Sequence, residues 1–133
     1  MAESFKIERL KSRPQFLAAA KGVSEARGAV VIQRLDRADG DPAVRLGFTA
    51  TRKIGNAVIR NRAKRRLREA ARALAPLLAV PGSDYVFIAR MGTPDRPWDR
   101  LLDDVKSALT RLATPRPAPK TAPTTPANAG QDS

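Results

Sequence analysis

Residues 52–72 read RKIGNAVIRNRAKRRLREAAR, and this stretch decides the fold. Ile59, Ala63, Leu67, Ala70, Ala71 and Leu74 recur at helical spacing and mark the buried side of one long helix. It starts at Asn56 or Ala57 and runs to about Leu74, with Asn56 as N-cap. Gly55 lets the backbone turn sharply into it, and Pro76, then Pro81-Gly82, close it. Away from the apolar side, Arg60, Lys64, Arg68 and Arg72 fall four apart and form one stripe. Asn61 and Arg65 lie beside that stripe, Arg52 and Lys53 just precede the helix, and Glu69 is the only acid in the segment.

A solvated helix face mixes signs, because like charges at i and i+4 repel by about a few tenths of a kcal/mol. Here like charges recur with almost no acid to relieve them, an arrangement that is unfavourable unless an anion is present. Arginine predominates over lysine, which suits forked contacts to phosphate or base edges. Asn61 adds a side chain that both donates and accepts hydrogen bonds.

Before this helix, residues 44–51 alternate. Val44, Leu46, Phe48 and Ala50 point one way; Arg45, Gly47, Thr49 and Thr51 point the other. Residues 28–35 (GAVVIQRL) form a β-branched strand, and residues 36–42 supply Asp-Gly and Asp-Pro turn chemistry, so the two runs are expected to pair as a hairpin. Further upstream, residues 13–21 read as a short helix with Ser12 as N-cap, Pro14 in the first turn and Gly22 as the stop. Downstream, residues 85–89 (YVFIA) form another strand. Trp98, Leu101, Leu102, Val105, Leu109 and Leu112 mark an amphipathic last helix. The order helix, hairpin, helix, strand, helix gives an α+β chain: a two-layer α/β sandwich of about three helices on a small mixed sheet. The central helix is then a crossover whose hand the pattern does not fix.

One domain is expected over residues 6–113. Residues 1–5 read as a frayed start. Residues 114–133 (TPRPAPKTAPTTPANAGQDS) hold no large apolar side chain and are expected to be disordered.

Lys and Arg number 25 against 13 Asp and Glu, a net charge of +12 with pI near 11.4. Such a charge attracts polyanions, nucleic acid first. A membrane surface is disfavoured, since no apolar run approaches the roughly 20 residues of a span. Residues 1–11 also lack the apolar centre of a secretory signal, so a soluble, cytoplasmic protein is expected. The absence of Cys and His excludes thiol, disulfide and histidine acid–base chemistry and Cys/His zinc sites. Asp36, Asp39 and Asp41 fall in a turn, and Asp99, Asp103 and Asp104 on the polar side of the last helix, so all six read as solvated charge. No catalytic residue and no metal ligand is assigned to the chain, and no small-molecule substrate is expected.

The run KIGNAVIRNRAKRRLR at residues 53–68 resembles the signature of the ribonuclease P protein family, built around an Arg-Asn-Arg element, here Arg60-Asn61-Arg62. RLGFT at residues 45–49, the segment from Leu10-Lys11 through Phe16, and DYVFIAR at residues 84–90 fit as well. The likeness covers residues 6–112, and its central motif is long and gapless.

The resemblance implies an α/β sandwich with an uncommon left-handed crossover. It implies a protein that helps a catalytic RNA, with its Mg²⁺ ions, remove the 5′ leader of precursor tRNA. Arg60, Asn61, Arg62, Lys64, Arg65 and Arg68 would grip that RNA, joined by Arg52, Lys53 and Asn56. Phe16 matches an aromatic that contacts the single-stranded leader in a cleft between the first helix and the sheet. Thr49, Thr51 and Phe87 complete the expected cleft. Ala20 and Gln33 stand where some relatives carry further aromatics, which puts the leader preference in doubt. Two other readings stay open from the residues alone: a ribosomal or RNA-chaperone protein, and a DNA-binding module with the Arg-rich helix in a major groove. The helix-turn-helix form of the latter expects a short helix just before the reader, where this chain has a strand.

Overall fold

The elements follow one another as β1 (Ile7–Arg9), α1 (Arg13–Ala20), β2 (Val23–Arg27), β3 (Val30–Asp36), β4 (Val44–Ala50), α2 (Ala57–Leu78), β5 (Ser83–Ala89) and α3 (Trp98–Ala113). Short 3₁₀ turns at Arg52–Ile54 and Thr93–Asp95 lead into α2 and α3. This is a computed structural model, and it describes residues 6–113; the expectations for residues 1–5 and 114–133 lie outside the described residues.

One five-stranded mixed sheet runs β1-β4-β5-β3-β2. β4 is parallel to both β1 and β5, while β3 is antiparallel to β5 and β2. The expected pairing of the two strands now seen as β3 and β4 is therefore wrong, because β5 lies between them. The reason is burial. Every residue of β5 except Ile88 is buried, and a strand apolar on both faces belongs in the middle of a sheet. The 36–42 turn instead carries the chain past one end of β5. There Arg37 donates to Asp84 at 2.8 Å and to the carbonyls of Asp41 and Ala43 at 2.9 and 2.8 Å.

The hairpin that does exist is β2–β3, turning at Gly28 (φ 48°) and Ala29. Its first strand, VSEAR, and β1, IER, carry no sequence signal strong enough to find: both are short, largely polar edge strands.

α2 joins parallel neighbours β4 and β5 and is thus a crossover. It runs through Pro76 to Leu78, beyond the expected end near Leu74. A proline this close to the end removes one hydrogen bond in the last turn only, and Ala79 N–H still donates to Ala75 at 2.9 Å.

α2 and α3 cover one face of the sheet, and α1 covers part of the other. On the first face Val44, Leu46, Phe48, Ile32, Tyr85 and Phe87 meet Ala63, Leu67, Ala70, Ala71 and Ala75 of α2 and Leu101, Val105, Leu109 and Leu112 of α3. The run of alanines brings α2 close to the strands, which fixes the direction of its opposite, cationic side. On the second face Leu10, Phe16, Ala19, Leu35, Val86 and Ile88 form a smaller cluster.

Candidate nucleic-acid interface

The entry to α2 sets the phase of its charges. After β4 the chain makes the Arg52–Ile54 turn and passes Gly55 at φ 151°. A Cβ there would lie 2.9 Å from Cδ1 of Ile59. Asn56 then caps the helix as expected, its Oδ1 accepting from Ile59 N–H at 3.0 Å. With the start pinned, Ala63 and Leu67 face the sheet while Asn61, Arg62 and Arg65 face water. Arg52, Lys53 and Asn56 are also exposed, and Arg60, Lys64 and Arg68 are half-buried along their stems.

The arginines sort into two populations. Those that build the fold have partners: Arg37 and Arg45 share Asp84, which is buried, Arg96 holds Asp104 at 2.9 Å, and Arg34 donates to Ser83 Oγ and the Leu112 carbonyl. Among the described residues, Arg52, Lys53, Arg60, Arg62, Lys64 and Arg65 make no ion pair and no side-chain hydrogen bond. Six cations without a protein partner thus sit on one helix face and its approach. Asp104 departs from the expectation of solvated charge: it is 8% exposed and accepts from Ala29 N–H at 3.0 Å as well as from Arg96. It ties α3 to the β2–β3 turn.

Two members of the run differ from their neighbours. Arg66 points into the molecule, donating to the carbonyls of Thr93 at 2.8 Å and Pro94 at 2.9 Å and also to that of Arg96. Burial first, and nearby Arg62 second, push its guanidinium below the ordinary arginine value. Arg68 lies over the ring of Phe48, Cζ 5.7 Å from the centroid, so it does not project freely from the apolar side.

The α1 face of the sheet holds the second group of candidate residues. Phe16 is half-buried against Gly47, so close that a Cβ on Gly47 would lie 2.6 Å from its ring carbons. Thr49, two residues on, shares that face, and its register neighbour on β5 is Ile88. Gln33 of β3 pairs with Val86 on the same face, and Ala20 is exposed at the end of α1. α1 packs on β3 and β5, and on β4 its Phe16 covers Gly47, with Thr49 half-buried beyond it. Thr51 is exposed just past the end of β4. Phe87 does not belong to this face. Its ring is fully buried on the other face, 5.1 Å from that of Phe48, because residue 87 alternates away from Val86 and Ile88.

The helix with the unpaired cations thus packs on one face of the sheet, and Phe16 lies on the other. The family model described as Ribonuclease P matches residues 5–113. The chain belongs to the ribonuclease P protein family. The ribonuclease P protein component of Caulobacter vibrioides is 65% identical over 116 residues, covering 85% of this chain and 78% of its own. That of Ruegeria pomeroyi is 48% identical over 113 residues, covering 84% and 90%. Among solved structures, the RNase P protein of Staphylococcus aureus is similar with a TM-score of 0.67 at 27% identity, over 79% of this chain and 94% of that one. The Thermotoga maritima protein gives 0.65 at 27% identity, over 77% and 96%. This chain is accordingly a subunit of ribonuclease P, an endoribonuclease complex of tRNA processing. Among the described residues no helix is long and apolar enough to cross a membrane.

Proposed function

We propose that this subunit binds the catalytic RNA of ribonuclease P through α2 and its approach, and holds the 5′ leader of precursor tRNA on the α1 side of the sheet. The observation that carries the reading is the set of six cations without protein partners: Arg52, Lys53, Arg60, Arg62, Lys64 and Arg65. On a face that met only water, opposite charges would be interspersed. Asn56 is already engaged as the helix cap, so its part is to aim the others. Asn61 is exposed between Arg60 and Arg62, and its amide, able to donate and accept, would read an RNA edge.

In this reading the chemistry belongs to the RNA and the Mg²⁺ it holds. The protein supplies position and charge. Its cations offset repulsion between two RNAs. Phe16 and Thr49 take the unpaired leader, where aromatic stacking is tolerant of sequence and worth about 1–3 kcal/mol per base. The partners are therefore the catalytic RNA and precursor tRNA, in the cytoplasm.

The test is reconstitution. Adding the protein to the catalytic RNA of the same genome at low Mg²⁺ raises precursor cleavage, and binding weakens with salt by a log–log slope of about −0.7 per phosphate on single strands. No gain in cleavage at any protein concentration overturns the proposal.

A further inference from the structure

Trp98, the sole tryptophan, opens α3 and is 42% exposed. An isolated exposed apolar residue is ordinary. The setting of this one is not. The Arg66 guanidinium lies 5.9 Å from the ring centroid, and it is held there by the carbonyls of Thr93, Pro94 and Arg96. The arginine of the motif that is tied to three backbone carbonyls thus lies against an aromatic at the start of α3. One turn before Arg66 stands Arg62, exposed and without a protein partner, and one turn before that stands Val58, 76% exposed. The ring thus rests beside Arg66 at the start of α3, and Arg62 and Val58 are the exposed residues one and two turns earlier on α2.

We propose that Trp98 stacks on an unpaired nucleotide of the catalytic RNA, with Arg62 meeting its phosphate. This rests on the assignment of α2 as the RNA-binding face. Charge selects the occupant: a nucleotide presents the π-face of its base to the indole and carries, on its phosphate, the anion that Arg62 lacks. The catalytic RNA is favoured over the leader because α3 and α2 cover the sheet face opposite α1. Arg66 lowers the ordering cost of the stack by holding the ring in place before RNA arrives.

The single indole makes the site readable without a label. Titrating the full-length protein with the catalytic RNA quenches indole emission, at the same concentrations that retain RNA on a filter. Trp98→Ala lowers affinity about 5- to 10-fold, the lower end of the range for one stacked base, and Trp98→Phe regains most of it. A leader oligonucleotide alone leaves the emission unchanged. Full RNA retention with unaltered emission overturns the proposal. So does quenching with an unaltered Trp98→Ala affinity, or quenching by the leader alone. Should Trp98→Ala fail to fold, the wild-type titration and Trp98→Phe decide the matter. Loss of filter retention by the wild type would instead overturn the assignment of α2 itself.

Discussion

Arg68 lays its guanidinium over the ring of Phe48, while Arg65, one turn earlier on the same helix, reaches no protein group. Two arginines of one motif therefore answer differently to truncation. Arg65→Ala should leave stability within about 0.5 kcal/mol of wild type. Arg68→Ala should lose about 1 kcal/mol, from the cation–π contact and the packing of its stem. Both should weaken binding of the catalytic RNA. Urea unfolding beside filter binding separates the two effects; equal stability losses would contradict the contact.

Arg66 should prove structural. Its removal leaves three carbonyls of the turn before α3 without their donor, and a part-buried unsatisfied group costs about 1–3 kcal/mol. Arg66→Ala should lower stability by about 2–3 kcal/mol. Arg66→Lys should regain less than half, because one ammonium cannot fork across separate acceptors. A neutral Arg66→Ala in urea unfolding would refute the assignment.

How much of this was legible in the sequence differs by element. α2 was, since a period of 3.6 with an Asn cap leaves one solution for its apolar side, although Ile59, expected on that side, is exposed in the first turn before α2 reaches the sheet. Strand pairing was not: nothing local to residues 28–51 says that a strand beginning only at Ser83 will insert between β3 and β4. Nor could composition tell Arg65 from Arg66. Adjacent identical residues differ by about 100° around the helix, and only the turn at Thr93–Asp95 gives that angle a meaning. Phe87 failed as a cleft residue for the same reason in a strand, where a step of one residue exchanges faces. Phe16 is proposed for the cleft from family likeness, not from pattern, because a half-buried aromatic on a short helix looks like any core residue.

Alkaline pH offers a test of the core through Tyr85, the sole tyrosine. Burial holds its phenol above the ordinary value, against the opposing hydrogen bond from Val80 N–H at 2.9 Å. The unfolded chain therefore releases this proton first. Stability from this group is full below about pH 10 and falls as pH rises through the folded value. Tyr85→Phe should be less stable than wild type by about 1 kcal/mol near neutrality, through the lost acceptor. The gap should narrow above about pH 10. Phenolate absorbance reads the single ring directly; ionisation at the free-tyrosine value in the folded protein would count against burial as the cause.

The contact between Gly47 and Phe16 gives the sharpest test of the leader cleft. A methyl at residue 47 must displace the ring, because it would lie 2.6 Å from the ring carbons. Overpacking of this kind costs about 1–3 kcal/mol. Gly47→Ala should therefore lower both stability and affinity for leader-bearing precursor, with little change for mature tRNA. Phe16→Ala should show the same preference through loss of the stacking face. The two changes remove one contact, so their effects should not add: with the ring gone, the methyl finds room, and the double variant should be more stable than the sum of the singles requires. Strict additivity in stability would mean that the ring does not rest on Gly47, and equal losses for precursor and mature tRNA would mean that this face does not hold the leader.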